Sequence, residues 1–206
     1  MKMKFIALII VVLLLAGCVA KENDSTSGSF LVITTLTGKD LEGNEGSTTV
    51  FSDVDTAGTI FEDIAIASVS TQIYDPFIKT DNQSYFNSVI VDQIDVEFRR
   101  TDGRNVEGVD VPYRFTQPMN WLVEVDTVEE IPFVLIRHVA KLEAPLLALR
   151  EVPNQGIVLQ LVAIVTIHGK DLGGHRVAPV SGYISVWCSN FADPEVDTTA
   201  ATSSGK

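Results

Sequence analysis

The stretch GIVLQLVAIVTIHGKDLGGHRVAPVSGYISVWC, residues 156–188, decides the fold. Two alternating runs, Gly156–His168 and Arg176–Cys188, flank Gly169-Lys170-Asp171-Leu172-Gly173-Gly174. Alternation with a period of two is the mark of a strand with one buried face. Glycine and Asp in the connector suit a tight turn, because they tolerate positive φ. With the turn centred at Asp171-Leu172, Ile157, Leu159, Leu161, Ala163, Val165 and Ile167 share a face with Val180, Ile184, Val186 and Cys188. The other face carries Gln160, Thr166, His168, His175, Tyr183, Ser185 and Trp187. Apolar meets apolar across the pair, which is what pins a register. A bulge at the glycines would shift it by one.

The rest of the body repeats this logic. Leu31–Thr37 is rich in β-branched residues and stops at Gly38, before the polar loop GKDLEGNEGS. Phe61–Ile73 alternates imperfectly. Val89–Arg100 ends in clean alternation, with Ile94, Val96 and Phe98 on one face and Asp95, Glu97 and Arg99 on the other. Thr101-Asp102-Gly103 supplies the next turn. Trp121–Val125 and Ile131–Val139 read as two further strands. Only Lys141–Glu151 (KLEAPLLALRE) has helical spacing, and Pro145 restricts it to one or two turns.

Strands separated by turns, with no βαβ rhythm, predict an all-β fold: an antiparallel β-sandwich of seven to eight strands with one short corner helix. The order of strands, the corner helix and the final hairpin resemble immunoglobulin-like or fibronectin type III-like modules over Phe30–Phe191. The Cys-Trp-Cys signature of antibody domains is absent.

The N-terminus carries a second pattern. Lys2 and Lys4 precede an unbroken apolar run, Phe5–Leu15, which is too short to span a bilayer that needs about 20 residues. Leu15-Ala16-Gly17-Cys18 closes it, and this resembles the lipobox of bacterial lipoproteins. The resemblance implies that residues 1–17 are a signal peptide and that Cys18 becomes the lipidated N-terminus. Two or more acyl chains such as palmitate anchor stably, at about 0.8 kcal/mol per buried methylene. Val19, where an Asp would resemble an inner-membrane retention signal, implies the outer membrane. Residues 18–29, with KENDSTSGS, read as a flexible tether, residues 30–191 as the domain, and 192–206, ending TTAATSSGK, as a disordered tail.

Composition narrows the partners. The net charge of −12 becomes −14 once Met1–Gly17 is removed, because that segment holds two lysines and no acid. Such acidity argues against nucleic acid and anionic lipid headgroups. The two cysteines are Cys18 and Cys188; with Cys18 lipidated, Cys188 has no disulfide partner in the chain.

Catalytic motifs are missing. No Gly-x-Ser-x-Gly, haem-attachment or phosphate-cradling motif occurs, and no cofactor is expected. The predicted register places Cys188 far along the strands from His168 and His175, leaving His138 free to approach it. His168 and His175 are expected to face each other across the turn. Two ligands alone fall short of a catalytic zinc set. Asp40, Glu42 and Asn44 are the calcium candidates, with Asp53, Asp55, Glu62 and Asp63 as further loop acids. Glu45 and Phe51 stand where an EF-hand needs glycine and a closing carboxylate. Tyr183 and Trp187, with Trp121, are the candidate binding aromatics, since aromatics on a sheet face stack sugars or anchor proteins. The sequence therefore predicts a membrane-anchored, non-enzymatic sandwich that binds another envelope component. The alternative is a surface glycan-binding protein or hydrolase.

Overall fold

The computed structural model describes residues 27–74, 85–151 and 156–191. The signal segment, Cys18 and the expected tail from residue 192 lie outside the described residues. Among the described residues there are eight strands: β1 (Ser29–Thr37), β2 (Thr49–Asp53), β3 (Asp63–Ile73), β4 (Val89–Arg99), β5 (Phe115–Val123), β6 (Val128–Ile136), β7 (Leu159–Asp171) and β8 (Val180–Ser189). Two short 3-10 turns, Tyr85–Asn87 and His138–Leu142, and one helix, α1 (Leu146–Arg150), complete it.

The strands form two sheets, in the orders β1-β3-β6 and β2-β8-β7-β4-β5. This is the expected all-β sandwich, and it is consistent with an immunoglobulin-like domain. One pairing departs from the antiparallel expectation: β2 runs parallel to β8, matching Thr49 with Ser185 through Asp53 with Ser189. The inward faces of the two sheets meet in one core, with Leu31, Ala67, Val69, Ile131 and Phe133 from the small sheet and Val91, Ile94, Val96, Leu161, Val165 and Val186 from the large one.

The β7–β8 hairpin forms with the predicted faces but a different turn. Leu159 pairs with Cys188 and Ile167 with Val180, so the turn lies two residues beyond Asp171-Leu172. Asp171 continues β7 instead, and its carboxylate accepts the amide of His175 at 2.9 Å. Gly174, with φ of 88°, makes the turn that a side chain would strain. A two-residue displacement preserves the faces, which is why the core assignment survives it.

Strand bounds also differ: β6 runs Val128–Ile136 where the sequence predicts Ile131–Val139, and His138 and Val139 belong to the 3-10 turn that follows. β5 begins at Phe115, well before Trp121, because Pro118 is accommodated on the edge of the large sheet. β2 lies in a stretch with too few residues to show alternation. Ser27 and Ser29, ahead of Phe30, are buried, and the Ser29 hydroxyl donates to the Asn87 carbonyl at 2.7 Å.

Strand directions give the sandwich two distinct ends. Ser27, Asn87 and the β7–β8 turn share one end, where the Ser27 amide meets the Arg176 carbonyl. Asp53, Asp63, the connector His138–Arg150, Leu159 and Cys188 share the other. With 13 residues in β7, these ends stand roughly 40 Å apart.

Candidate functional site

At the end away from Ser27, a cleft of about 450 Å³ opens between the β1–β2 loop, the start of β3 and the connector. Lys39, Asp40 and Leu41 form one wall, Phe61 and Asp63 another, and Lys141 the floor. Phe51 and Phe191 line it as well, and they extend it outward. Phe51 lies edge-on to Trp187 at 5.5 Å between ring centroids and edge-on to Phe191 at 6.0 Å. An aromatic row therefore runs from the outer face of the large sheet into the cleft. The parallel pairing of β2 with β8 creates it, by placing Phe51 beside Trp187.

The floor is polar and largely buried. Lys141 has a side chain only 1% exposed, yet its amine lies 3.0 and 3.2 Å from the two carboxylate oxygens of Asp63. It also donates to the main-chain carbonyl of Asp53 at 2.7 Å. The Ser52 hydroxyl donates to Asp63 Oδ2 at 2.6 Å. Burial pushes the Asp63 carboxyl above its usual range, and Lys141 and Ser52 offset only part of that rise. Arg150 holds Asp55 at 2.7 Å, so the connector is tied to the β2 edge at two points.

Cys188 is wholly buried beside this cluster. Burial, reinforced by the charge of Asp63, pushes its thiol up to about 12. A thiol held that high is a poor nucleophile at neutral pH. His138 is exposed at the start of the connector and does not join it.

The remaining histidines correct the sequence reading. His168 and His175 do not face each other: the later turn places each beside its own carboxylate. His168 Nε2 lies 2.9 Å from Asp95 Oδ2, and His175 Nδ1 lies 3.3 Å from Asp171 Oδ2.

In the β1–β2 loop, Asp40 Oδ1 accepts the amides of Glu42 and Asn44, and Asp40 Oδ2 accepts the Asn44 side-chain amide. The side-chain hydrogen bond from Asn44 leads the interactions holding the Asp40 carboxyl below its usual range. Its oxygens are thus turned toward the loop's own N–H groups. Among the described residues, no group of three or more His, Cys, Asp or Glu gathers to hold a metal ion.

The predicted aromatics divide. Tyr183 is 69% exposed and Trp187 37%, and both lie on the outer face of β8, four residues or roughly 13 Å apart. Trp121 does not join them. It pairs with the fully buried Val91 and packs against the core from β5, on the far side of the sheet order. Sequence reasoning missed Phe51, Phe191 and Lys141. The available signal was Lys141 itself, the one Lys or Arg in the run HVAKLEAPLL. Comparison with known proteins gives no match to any family model, curated protein or solved structure.

Proposed function

We propose that this chain is a lipid-anchored ectodomain of the cell envelope that acts by binding another envelope component. The lipobox-like Leu15-Ala16-Gly17-Cys18 supports the anchor, with the diacyl lipid on Cys18 and Val19 favouring the outer membrane. The observation that carries the binding role is the aromatic row Trp187–Phe51–Phe191 leading into the cleft. Exposed aromatics beside a concave, mixed-polarity site are the usual anchors of a protein interface. The cleft stands at the end opposite Ser27, so a partner there approaches from the side away from the tether. Binding rather than catalysis is favoured by the Cys188 thiol, held in its protonated form by burial.

The test is in-cell crosslinking of the full-length lipidated protein, followed by mass spectrometry. A reproducible protein adduct mapped to the β1–β2 loop, Trp187 or Phe191 is expected, and Trp187→Ala should remove it. Adducts confined to the Ser27 end, or unchanged by Trp187→Ala, overturn the assignment of the surface. Cys18→Ser should release the protein from the membrane fraction; retention there argues against lipid anchoring.

A second reading is glycan binding or hydrolysis at the outer face. It is favoured by the exposure of Tyr183 on the same face as Trp187. Binding of the Tyr183→Ala/Trp187→Ala protein to cell-wall polysaccharide at wild-type level would eliminate it.

A further inference from the structure

The buried Lys141–Asp63 contact has the geometry of a reacting pair as much as that of an ion pair. The amine lies 3.0 and 3.2 Å from the two oxygens of one carboxyl, which puts the carbon between them within about 3.5 Å of nitrogen. That is near-attack distance. We propose that Lys141 and Asp63 condense to an amide, an internal crosslink between the start of β3 and the connector that follows β6.

The step balances without any outside reagent. The ammonium first passes a proton to the carboxylate, giving a neutral amine and a neutral acid. Nζ then attacks Cγ, and the N–C bond forms. The Cγ–OH bond breaks, and its hydroxyl leaves with one amine hydrogen as water. Nothing is oxidised or reduced.

Three features of the site favour each stage. Burial raises Asp63 toward its protonated form, the form that condensation requires. The Ser52 hydroxyl, 2.6 Å from Oδ2, stands where negative charge develops on the tetrahedral intermediate. The Asp53 carbonyl, 2.7 Å from Nζ, orients the amine. In water, an amide of this kind is driven toward hydrolysis partly by ionisation of the released acid and amine. With the Lys141 side chain 1% exposed and that of Asp63 17%, the floor limits that ionisation and the access of water to the product.

The test is proteolysis of the full-length wild-type chain and tandem mass spectrometry of the fragments. The expected product is a branched peptide joining Lys141 to Asp63, lighter than its two linear parts by one water, in nearly all molecules. Trypsin should fail to cut after Lys141. The branched peptide should vanish in both Lys141→Arg and Asp63→Ala. Quantitative recovery of the two linear peptides from the wild type, with normal cleavage after Lys141, overturns the proposal. The wild-type result decides alone, so misfolding of a variant does not obscure it. A loss of water confined to the Asp63 peptide would mark a local cyclisation and would also overturn it.

Discussion

The side-chain amide of Gln117 bonds the backbone of Val134 twice. Its nitrogen donates to the Val134 carbonyl at 3.0 Å, and its oxygen accepts the Val134 amide at 3.1 Å. Gln117 sits on β5 and Val134 on β6, the edge strands of different sheets. One side chain thus substitutes for a missing neighbour strand and fastens the two sheets along that side. Replacement by Leu leaves both backbone groups without partners. Gln117→Leu should lower stability by about 1–3 kcal/mol, measured by urea unfolding of the ectodomain. A change within error would mean that water satisfies Val134 equally well.

Two glycines of the large sheet should respond differently to a methyl group. A Cβ at Gly169 would lie 2.8 Å from the Ile90 carbonyl oxygen, which belongs to the paired strand and has little room to give. A Cβ at Gly182 would meet the end of the Leu36 side chain at 2.7 Å, which can rotate away. Gly169→Ala is expected to cost about 1–3 kcal/mol, and Gly182→Ala distinctly less. Equal losses in thermal unfolding would contradict this ranking.

Acid should weaken the fold through Asp95 and Asp171. Burial pulls the Asp95 carboxyl upward, but hydrogen bonds from Thr116, Gln93 and His168 outweigh it and leave it below 3.8. Burial acts on Asp171 in the same way and is outweighed by Ser27 and by the amide and ring of His175. A folded-state value below the unfolded one adds stability above 3.8 that is lost as the pH falls through the folded value. Urea midpoints should therefore drop across that acid range, and Asp95→Asn should flatten the drop. An unaltered acid limb in the variant would remove Asp95 from the account.

Cys188 should be silent to thiol reagents in the folded protein. Its full burial and its thiol, raised to about 12, leave almost no accessible thiolate at pH 8. Alkylation is expected to proceed only at the rate of unfolding and to accelerate in urea. Rapid labelling of the native chain would show that the cleft floor opens.

Trp187→Ala should leave the fold nearly intact, since the ring is partly exposed and meets Phe51 edge-on. If the proposed role holds, binding of an envelope partner should fall at least about tenfold, as for an aromatic anchor at an interface. Circular dichroism controls for folding. A weakened fold with undiminished binding would assign Trp187 a packing role only.

Strands β7 and β8 were legible because alternation runs along most of their length, and β4 because its end, from Ile94 to Arg99, alternates cleanly beyond the bulge at Asp92. β2 has five residues and pairs in parallel with the last strand, a long-range choice that no local pattern announces. The misplacement of Trp121 has a physical origin. Phe115, Met119, Trp121 and Val123 alternate toward the core along β5, a pattern that disappears when the strand is taken to begin at Trp121. Tyr183 and Trp187 lie on the expected outer face because β8 keeps one unbroken register with β7. Asp63 and Lys141 are separated by 78 positions, and only folding brings them together.

The opposed placement of Ser27 and the cleft has a mechanical side. Under the proposed role, a pull between a ligand held at Phe51 and Phe191 and an anchor beyond Ser27 would act along the strands. Hydrogen bonds of the β1–β3 and β2–β8 ladders lie across that axis. They are then strained together in shear and do not open one after another like a zip, so the domain is built to transmit tension between its two ends.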